Sequence, residues 1–394
     1  ASSLTSTATI SESSTVTPAP LQPYLNASNP NDDSTDTQDH YTTDIAVDGT
    51  YVLVGAREED DDGNSNAGVA YVFNKSTGVL VYTLNNPSPS GFSDRFGTSV
   101  AITDNYFVVG APGEINDGTV NDGTVYAFNK SDGLLANTIN NTVTGSNQYF
   151  GMVVQTIDSA NDKVAVTSPG ENAVYYDVDC DAGTIGNSRT QTNLIGYGNN
   201  TLSNEMDAYD GWWIAGAQDS RTVYVYEGGS LRHTINVTDN ATSEGKFGSS
   251  VAIGENYFAV AAFNHDSGDG KIWTFNKTTG TQLGSNDNSS IGPIYGSNTS
   301  QYGRYMKMSD DYLFVSTNES VRSNVNGRVW VYDTATLNQL SKKIYPPETL
   351  SDEANPPSYY PFFGNVFAFD GTDKIIVGDK ITDKGTKIYW YDIG

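Results

Sequence analysis

The stretch FGTSVAITDNYFVVGAP at residues 96–112, followed after a loop by GTVYAFNKSDGLLANTI at 123–139, decides the fold. It recurs as FGSSVAIGENYFAVAAF at 247–263 and GKIWTFNKTTGTQLG at 270–284, with a match at nearly every position. Weaker copies begin near Tyr41, Phe150, Tyr197, Tyr302 and Phe363. Gly97, Gly151, Gly198, Gly248, Gly303 and Gly364 head six of seven copies at intervals of 54, 47, 50, 55 and 61 residues, and Thr42 takes that place in the first. A period of this length marks a repeat architecture, in which each unit stacks on its neighbour and the array counts as one domain.

Within a copy the apolar residues alternate with period two. Val-Ala-Ile, Tyr-Phe-Val-Val and Thr-Val-Tyr-Ala-Phe are β-branched and aromatic runs bounded by Thr-Asp-Asn, Gly-Ala-Pro and Asn-Lys-Ser-Asp-Gly turns, which is strand and hairpin chemistry. A weaker fourth run completes an antiparallel sheet. Seven four-stranded units predict an all-β chain: a single closed β-propeller over 41–394, preceded by a Ser/Thr-rich segment at 1–40. One third-strand position is aromatic in every copy (Tyr71, Tyr126, Tyr176, Tyr224, Trp273, Trp330, Tyr389), and this recurrence predicts core between blades rather than a sugar-stacking stripe. The last copy stops at its third strand. An open blade would leave an unpaired edge, so a segment between Leu4 and Leu25 is expected to close it, with Ser14–Thr17 the best strand former.

The chain has 394 residues, with 47 acidic and 21 basic residues and a formal charge of -26. Such a surface repels nucleic acid and anionic lipid, and no window reaches the ~18–20 apolar residues of a membrane span. The single cysteine, Cys180, permits no intramolecular disulfide. The chain begins at Ala1, from which a removed leader and an extracellular location are expected. Asn74, Asn129, Asn236 and Asn276 sit in glycosylation sequons; three of these fall in the recurring Asn-Lys-Ser/Thr-x-Gly turn, where turn chemistry already accounts for the Asn.

Phe96-Gly97 with Gly110-Ala111-Pro112, and its relatives Phe150-Gly151 with Ser168-Pro169 and Phe247-Gly248 with Ala261-Ala262, resemble the FG-GAP repeats of integrin α-subunits. The resemblance implies a propeller that binds ligand on the face formed by the connections from strand two to three and from strand four to the next blade. It also implies a calcium loop between the Phe-Gly and Gly-Ala-Pro elements, but here that connection is a tight hairpin such as Thr103-Asp104-Asn105. An acidic string lies one connection later: Glu58, Asp60, Asp62 and Asn66, with Gly63 at the bend, have the alternating oxygen ligands that Ca²⁺ takes from a flexible loop. The competing reading is a solvated hairpin loop.

Catalytic constellations are scarce. The three histidines, His40, His233 and His265, have no zinc-ligand spacing, and the Asp177, Asp179 and Asp181 carboxylates around Cys180 would raise its thiol pKa. The expected function is therefore a non-catalytic extracellular structural or adhesion protein, presenting loops to a partner as a repeating subunit of a surface, filament or virion assembly. A lectin-like module for carbohydrate or another ligand is the alternative, and a glycan-active enzyme the second. Contact residues are expected in the long loops, at Tyr295, Tyr345, Tyr359 and Tyr360, while the face of tight hairpins is expected to be smooth. Leu4–Ile10 has the β-branched content of a strand, so residues 1–13 are expected to dock on a neighbouring copy.

Overall fold

The structure, a computed structural model, describes residues 23, 25–31, 41–60, 65–89, 93–116, 118–142, 146–170, 174–190, 206–218, 220–236, 246–263, 265, 270–287, 302–309, 311–317, 327–334, 336–337, 339–344, 362–380 and 387–394. Its strands form seven four-stranded antiparallel sheets. Blade 1 comprises Tyr41–Val47, Tyr51–Ala56, Val69–Asn74 and Leu80–Asn85; blade 2, Ser99–Ile102, Tyr106–Ala111, Thr124–Asn129 and Leu135–Asn140. Blade 3 comprises Val154–Asp158, Lys163–Ser168, Val174–Asp179 and Thr184–Thr190; blade 4, Met206–Tyr209, Trp212–Ala217, Thr222–Glu227 and Ser230–Asn236. Blade 5 comprises Ser250–Ile253, Tyr257–Ala262, Lys271–Asn276 and Gln282–Asp287; blade 6, Met306–Met308, Tyr312–Thr317, Arg328–Asp333 and Gln339–Ile344. Blade 7 takes Phe362–Phe369, Lys374–Lys380 and Lys387–Asp392, with Leu25–Ser28 as its outer strand. First strands touch their neighbours in a closed cycle, from blade 1 round to blade 7 and back.

The blade-to-blade core follows the period-two pattern. All seven third-strand aromatics are buried. Leu53, Ala70, Val72 and Leu84 of blade 1 share one cluster with Val109, Tyr126 and Phe128 of blade 2. Phe96 packs there against Tyr126 and Phe128, with ring centroids at 5.8 and 6.0 Å. Each such side chain contributes about 1.5–3 kcal/mol on burial.

Close backbone contact at the seams explains the glycines of the repeat. Gly97 adopts φ 85°, a left-handed conformation that side chains disfavour, and its carbonyl faces Gly55 of the preceding blade. A Cβ on Gly55 would lie 2.0 Å from that oxygen; on Gly110 it would lie 2.1 Å from the Gly151 oxygen, and on Gly216 1.9 Å from that of Gly248. At the closing seam Gly378 faces Thr42, which holds φ 67° although it has a side chain.

Two further devices bind neighbouring blades at the rim. A fourth-strand side chain latches onto the strand-three-to-four turn of the next blade: the Tyr82 hydroxyl donates to Ser131 O (3.1 Å), Asn137 Nδ2 to Cys180 O (2.8 Å), and His233 Nε2 meets Lys277 O at 2.9 Å. A turn lysine staples back to the preceding blade. Lys75 Nζ meets Asp370 at 3.0 Å, Lys130 Nζ meets Asp48 at 2.6 Å, and Lys277 Nζ lies 5.3 and 5.2 Å from the ring centroids of Tyr209 and Trp212. Burial alone would raise the Asp370 pKa, but the Lys75 ammonium and the Thr372 and Lys374 amides outweigh it and hold it below the usual range.

The closing strand lies further along the chain than the sequence suggests. Ser14–Thr17 falls outside the described residues, as do residues 1–13; the strand paired with Lys387–Asp392 is Leu25–Ser28, in register Leu25↔Trp390 to Ser28↔Lys387. Its alternation supplies the reason. Ala27 is buried in the blade 7 core, and Leu25 packs on Gly78 of blade 1, the latch position that Tyr82 and Asn137 hold elsewhere.

Two outcomes are expected. Gly110→Ala should lower unfolding stability by about 3 kcal/mol through overpacking, whereas Gly49→Ala, with open space around its Cβ, should be neutral in the same urea titration. Removing residues 1–30 should lower the melting temperature by several degrees through exposure of the blade 7 edge; a melting curve identical to that of the full chain would contradict the pairing.

Candidate functional site

At the ring axis, first strands carry charged side chains inward. Asp44 of blade 1 is buried; its carboxylate accepts from the Ile45 amide (3.0 Å), the Val100 amide (2.9 Å) and the Ser99 hydroxyl (2.8 Å) of blade 2. Ser99 Oγ in turn accepts from the Val154 amide of blade 3 at 2.9 Å. Across the axis, Asp207 of blade 4 accepts from the Ile253 amide of blade 5 (3.0 Å) and from Lys307 Nζ of blade 6 (2.8 Å). Each relay thus ties three blades, satisfying buried charge with hydrogen bonds. Burial pushes the Asp44 carboxyl up to about 6, against the opposing pull of the Val100 amide, the Ser99 hydroxyl and the Lys307 charge.

Beside these groups a cavity of about 560 Å³ opens on the face of the tight hairpins, lined among others by Gln155, Tyr209, Glu255, Lys307 and Tyr312. A second, of about 400 Å³, opens on the same face between blades 3 and 4. That face is therefore concave at the axis and at one seam, which corrects the expectation of a smooth surface. The strand-one-to-two hairpins are short, so among the described residues none folds over the axial funnel.

On the opposite face, the strand-two-to-three loops use their acids locally. Glu58 accepts from Arg57 Nε at 3.1 Å, and Asp60 Oδ1 from the Asn66 amide at 2.8 Å; Asp62 lies outside the described residues. Between Glu58 and Asp60, Glu59 turns inward, is buried, and accepts from the Tyr71 hydroxyl. Glu114 does the same with Tyr126 at 2.5 Å, and burial, reinforced by the Asp94 charge, pushes it up to about 7 despite the Tyr126 hydrogen bond. His265 occupies the equivalent place in blade 5, its ring edge-on to Trp273 at 5.9 Å. The signal for this trio was in the sequence: each stands three residues after the alanine that ends strand two. Among the described residues, no group of three or more His, Cys, Asp or Glu side chains is placed to hold a metal ion.

Tyr295, Tyr345, Tyr359 and Tyr360 lie outside the described residues. Asn74 and Asn276 organise their turns, their amide oxygens accepting from Thr77 N (3.1 Å) and Thr279 N (2.9 Å). Asn129 is half-buried at the same turn, and Asn236 is exposed and accepts from Thr222 Oγ1 at 2.7 Å. Cys180 is buried, and desolvation followed by the Asp162 and Asp179 charges pushes its thiol up to about 12, which makes it a poor nucleophile.

The Asp44 carboxyl sets a pH dependence. Its folded pKa lies above the unfolded value of 3.8, so the folded state holds the proton more tightly and stability falls as pH rises from about 4 to about 6. Asp44→Asn should remove that loss. The stability difference between variant and parent should grow over this window, approaching about 2–3 kcal/mol at pH 7 by denaturant titration.

A family model described as FG-GAP repeat matches residues 31–73 and 87–128. No curated protein matches the chain in sequence. Among solved structures, U3-55K is 11% identical with a TM-score of 0.59, covering 93% of this chain and 98% of that one. The RRP9 WD40 repeats are 11% identical with a TM-score of 0.60, covering 94% and 97%; the Cps50 (Swd1) β-propeller domain of Myceliophteria thermophila is 10% identical at 0.57, covering 93% and 100%. At such identities the likeness concerns the fold alone. The chain thus carries FG-GAP repeats at residues 31–73 and 87–128 within a seven-bladed β-propeller, and the two findings together support an FG-GAP β-propeller.

Proposed function

We propose that this propeller is a non-catalytic extracellular structural or adhesion protein, a rigid ring that presents its rim and loops to protein neighbours. The observation that carries the reading is a set of exposed aliphatic side chains at the start of the outer strands of blades 1 and 2. Val79 is 62% exposed and Leu134 64%, with Leu80, Val81 and Leu135 beside them. Each sheet ends on its fourth strand, so these side chains border an edge that no further strand covers among the described residues. Adjoining apolar side chains along a strand edge favour protein association. The unusual ionisable groups support the same reading, since Asp44, Asp207, Lys307 and Glu114 already bond neighbouring elements of the fold.

Self-association is the form of this reading that can be tested without a known partner. Sedimentation velocity at tens of micromolar protein should show oligomers, and the double variant Val79→Asp/Leu134→Asp should sediment as a monomer with an unchanged melting temperature. A parent chain that stays monomeric at millimolar concentration would overturn the assembly reading.

A further inference from the structure

Seven first strands converge on the ring axis, and their registers place one side chain per blade at the same depth. In blades 1, 2, 5 and 7 it is alanine: Ala46, Ala101, Ala252 and Ala368 stand opposite Leu53, Val108, Ala259 and Ile376 of the second strands. In blades 3, 4 and 6 it is Gln155, Asp207 and Lys307, opposite Ala165, Ile214 and Phe314. A carboxamide, a carboxylate and an ammonium thus share one level of the axis, and all three line the cavity of about 560 Å³. Ala46, Ala101 and Ala368 line it too, so the space stands where those blades carry only a methyl group.

Several polar groups around this cavity serve the fold. Asp48 accepts from Lys130 Nζ (2.6 Å), the Thr156 hydroxyl donates to Ile102 O (2.8 Å), and the Ser159 hydroxyl donates to Asp104 (2.6 Å). The axial trio keeps hydrogen-bonding capacity in reserve. Lys307 Nζ uses one of its three N–H groups on Asp207 and has no other hydrogen bond among the described residues. Asp207 accepts from Lys307 and from the Ile253 amide, and each oxygen retains a lone pair. The half-buried Gln155 carboxamide, a donor and an acceptor, makes no hydrogen bond among the described residues. The fold does not require it, since alanine completes the wall at this position in four other blades.

We propose that this axial level is a binding site for a sugar residue, a neutral ligand whose ring carries adjacent hydroxyl groups. One hydroxyl accepts from Lys307 and donates to Asp207, and a neighbouring hydroxyl exchanges hydrogen bonds with Gln155. Charge selects against other classes. Lys307 and Asp207 already neutralise each other at 2.8 Å, so a net charge on the ligand would stay uncompensated at this depth. Glu255 and Asp311 at the mouth repel an anion, and the Lys307 ammonium repels a cation. An apolar ligand would strip water from the trio without replacing its hydrogen bonds. The rings of Tyr209, which is 40% exposed, and Tyr312 line the cavity and offer an apolar wall to the C–H face of a sugar. The volume falls in the range of about 300–1,000 Å³ usual for small-ligand sites. This site is separate from the association surface proposed above, which lies on the outer strands.

The test uses the full chain, 15N-labelled at glutamine side chains, with the Gln155 carboxamide signal assigned by its loss in Gln155→Ala. Titration with the methyl α-glycosides of glucose, mannose and galactose should shift that signal with at least one of them, at a roughly millimolar dissociation constant. Cyclohexanol, which keeps a ring and one hydroxyl, and sodium acetate should not shift it. In Gln155→Ala, saturation-transfer NMR should show the same glycoside bound at least tenfold more weakly. The melting temperature of that variant should be unchanged, and the Gln155 shift of the parent chain decides independently of how the variant folds. No shift with any of the three glycosides, an equal shift with cyclohexanol or acetate, or undiminished binding by the variant would overturn the proposal.

Discussion

The ring depends on one contact: the carbonyl of a Phe-Gly glycine pressed against the strand-two glycine of the preceding blade. Gly97 on Gly55, Gly151 on Gly110 and Gly248 on Gly216 leave no space for a methyl group. Backbone-to-backbone contact fixes how closely adjacent sheets approach, and the aromatics then fill the wedge that opens outward from it. Phe96, Tyr126 and Phe128 fit because the glycines have set the distance at the inner end. The two halves of the repeat motif are therefore partners across a seam rather than within one blade.

Inside that boundary, charge is used sparingly and for connection. The Asp44–Ser99–Val154 relay and the Lys307–Asp207–Ile253 relay each span three blades near the axis, where seven first strands converge and side chains must be small or mutually satisfied. Alanine stands at one equivalent first-strand position in four blades (Ala46, Ala101, Ala252, Ala368), and Asp207 and Lys307 occupy it in two others. A buried pair of this kind adds little net stability over an apolar pair, but it imposes a register that a mis-stacked blade would violate.

Blade number, strand count and the aromatic core were legible in the sequence because each is written several times at a fixed period. Single-copy features were not. Leu25–Ser28 closes the ring through register and one latch contact, which β-propensity does not encode, and Ser14–Thr17 looked better on propensity alone. Glu59 was hidden among Glu58 and Asp60, since period and loop composition say nothing about which of three adjacent acids turns inward.

Blade 7 is assembled from strands more than 350 residues apart, with Leu25 opposite Trp390. During synthesis blades 1 to 6 have every strand they need before Lys387–Asp392 is made, whereas Leu25–Ser28 must wait for that partner. Closing a loop of that length costs about 5 kcal/mol in chain entropy, and the final sheet must supply it in one step. Until that pairing forms, the ring is an open arc with two uncovered faces, blade 1 on one side and blade 7 on the other. If two such arcs met before closure, each could accept the other's Leu25–Ser28, and the product would be an exchanged dimer with native blades throughout.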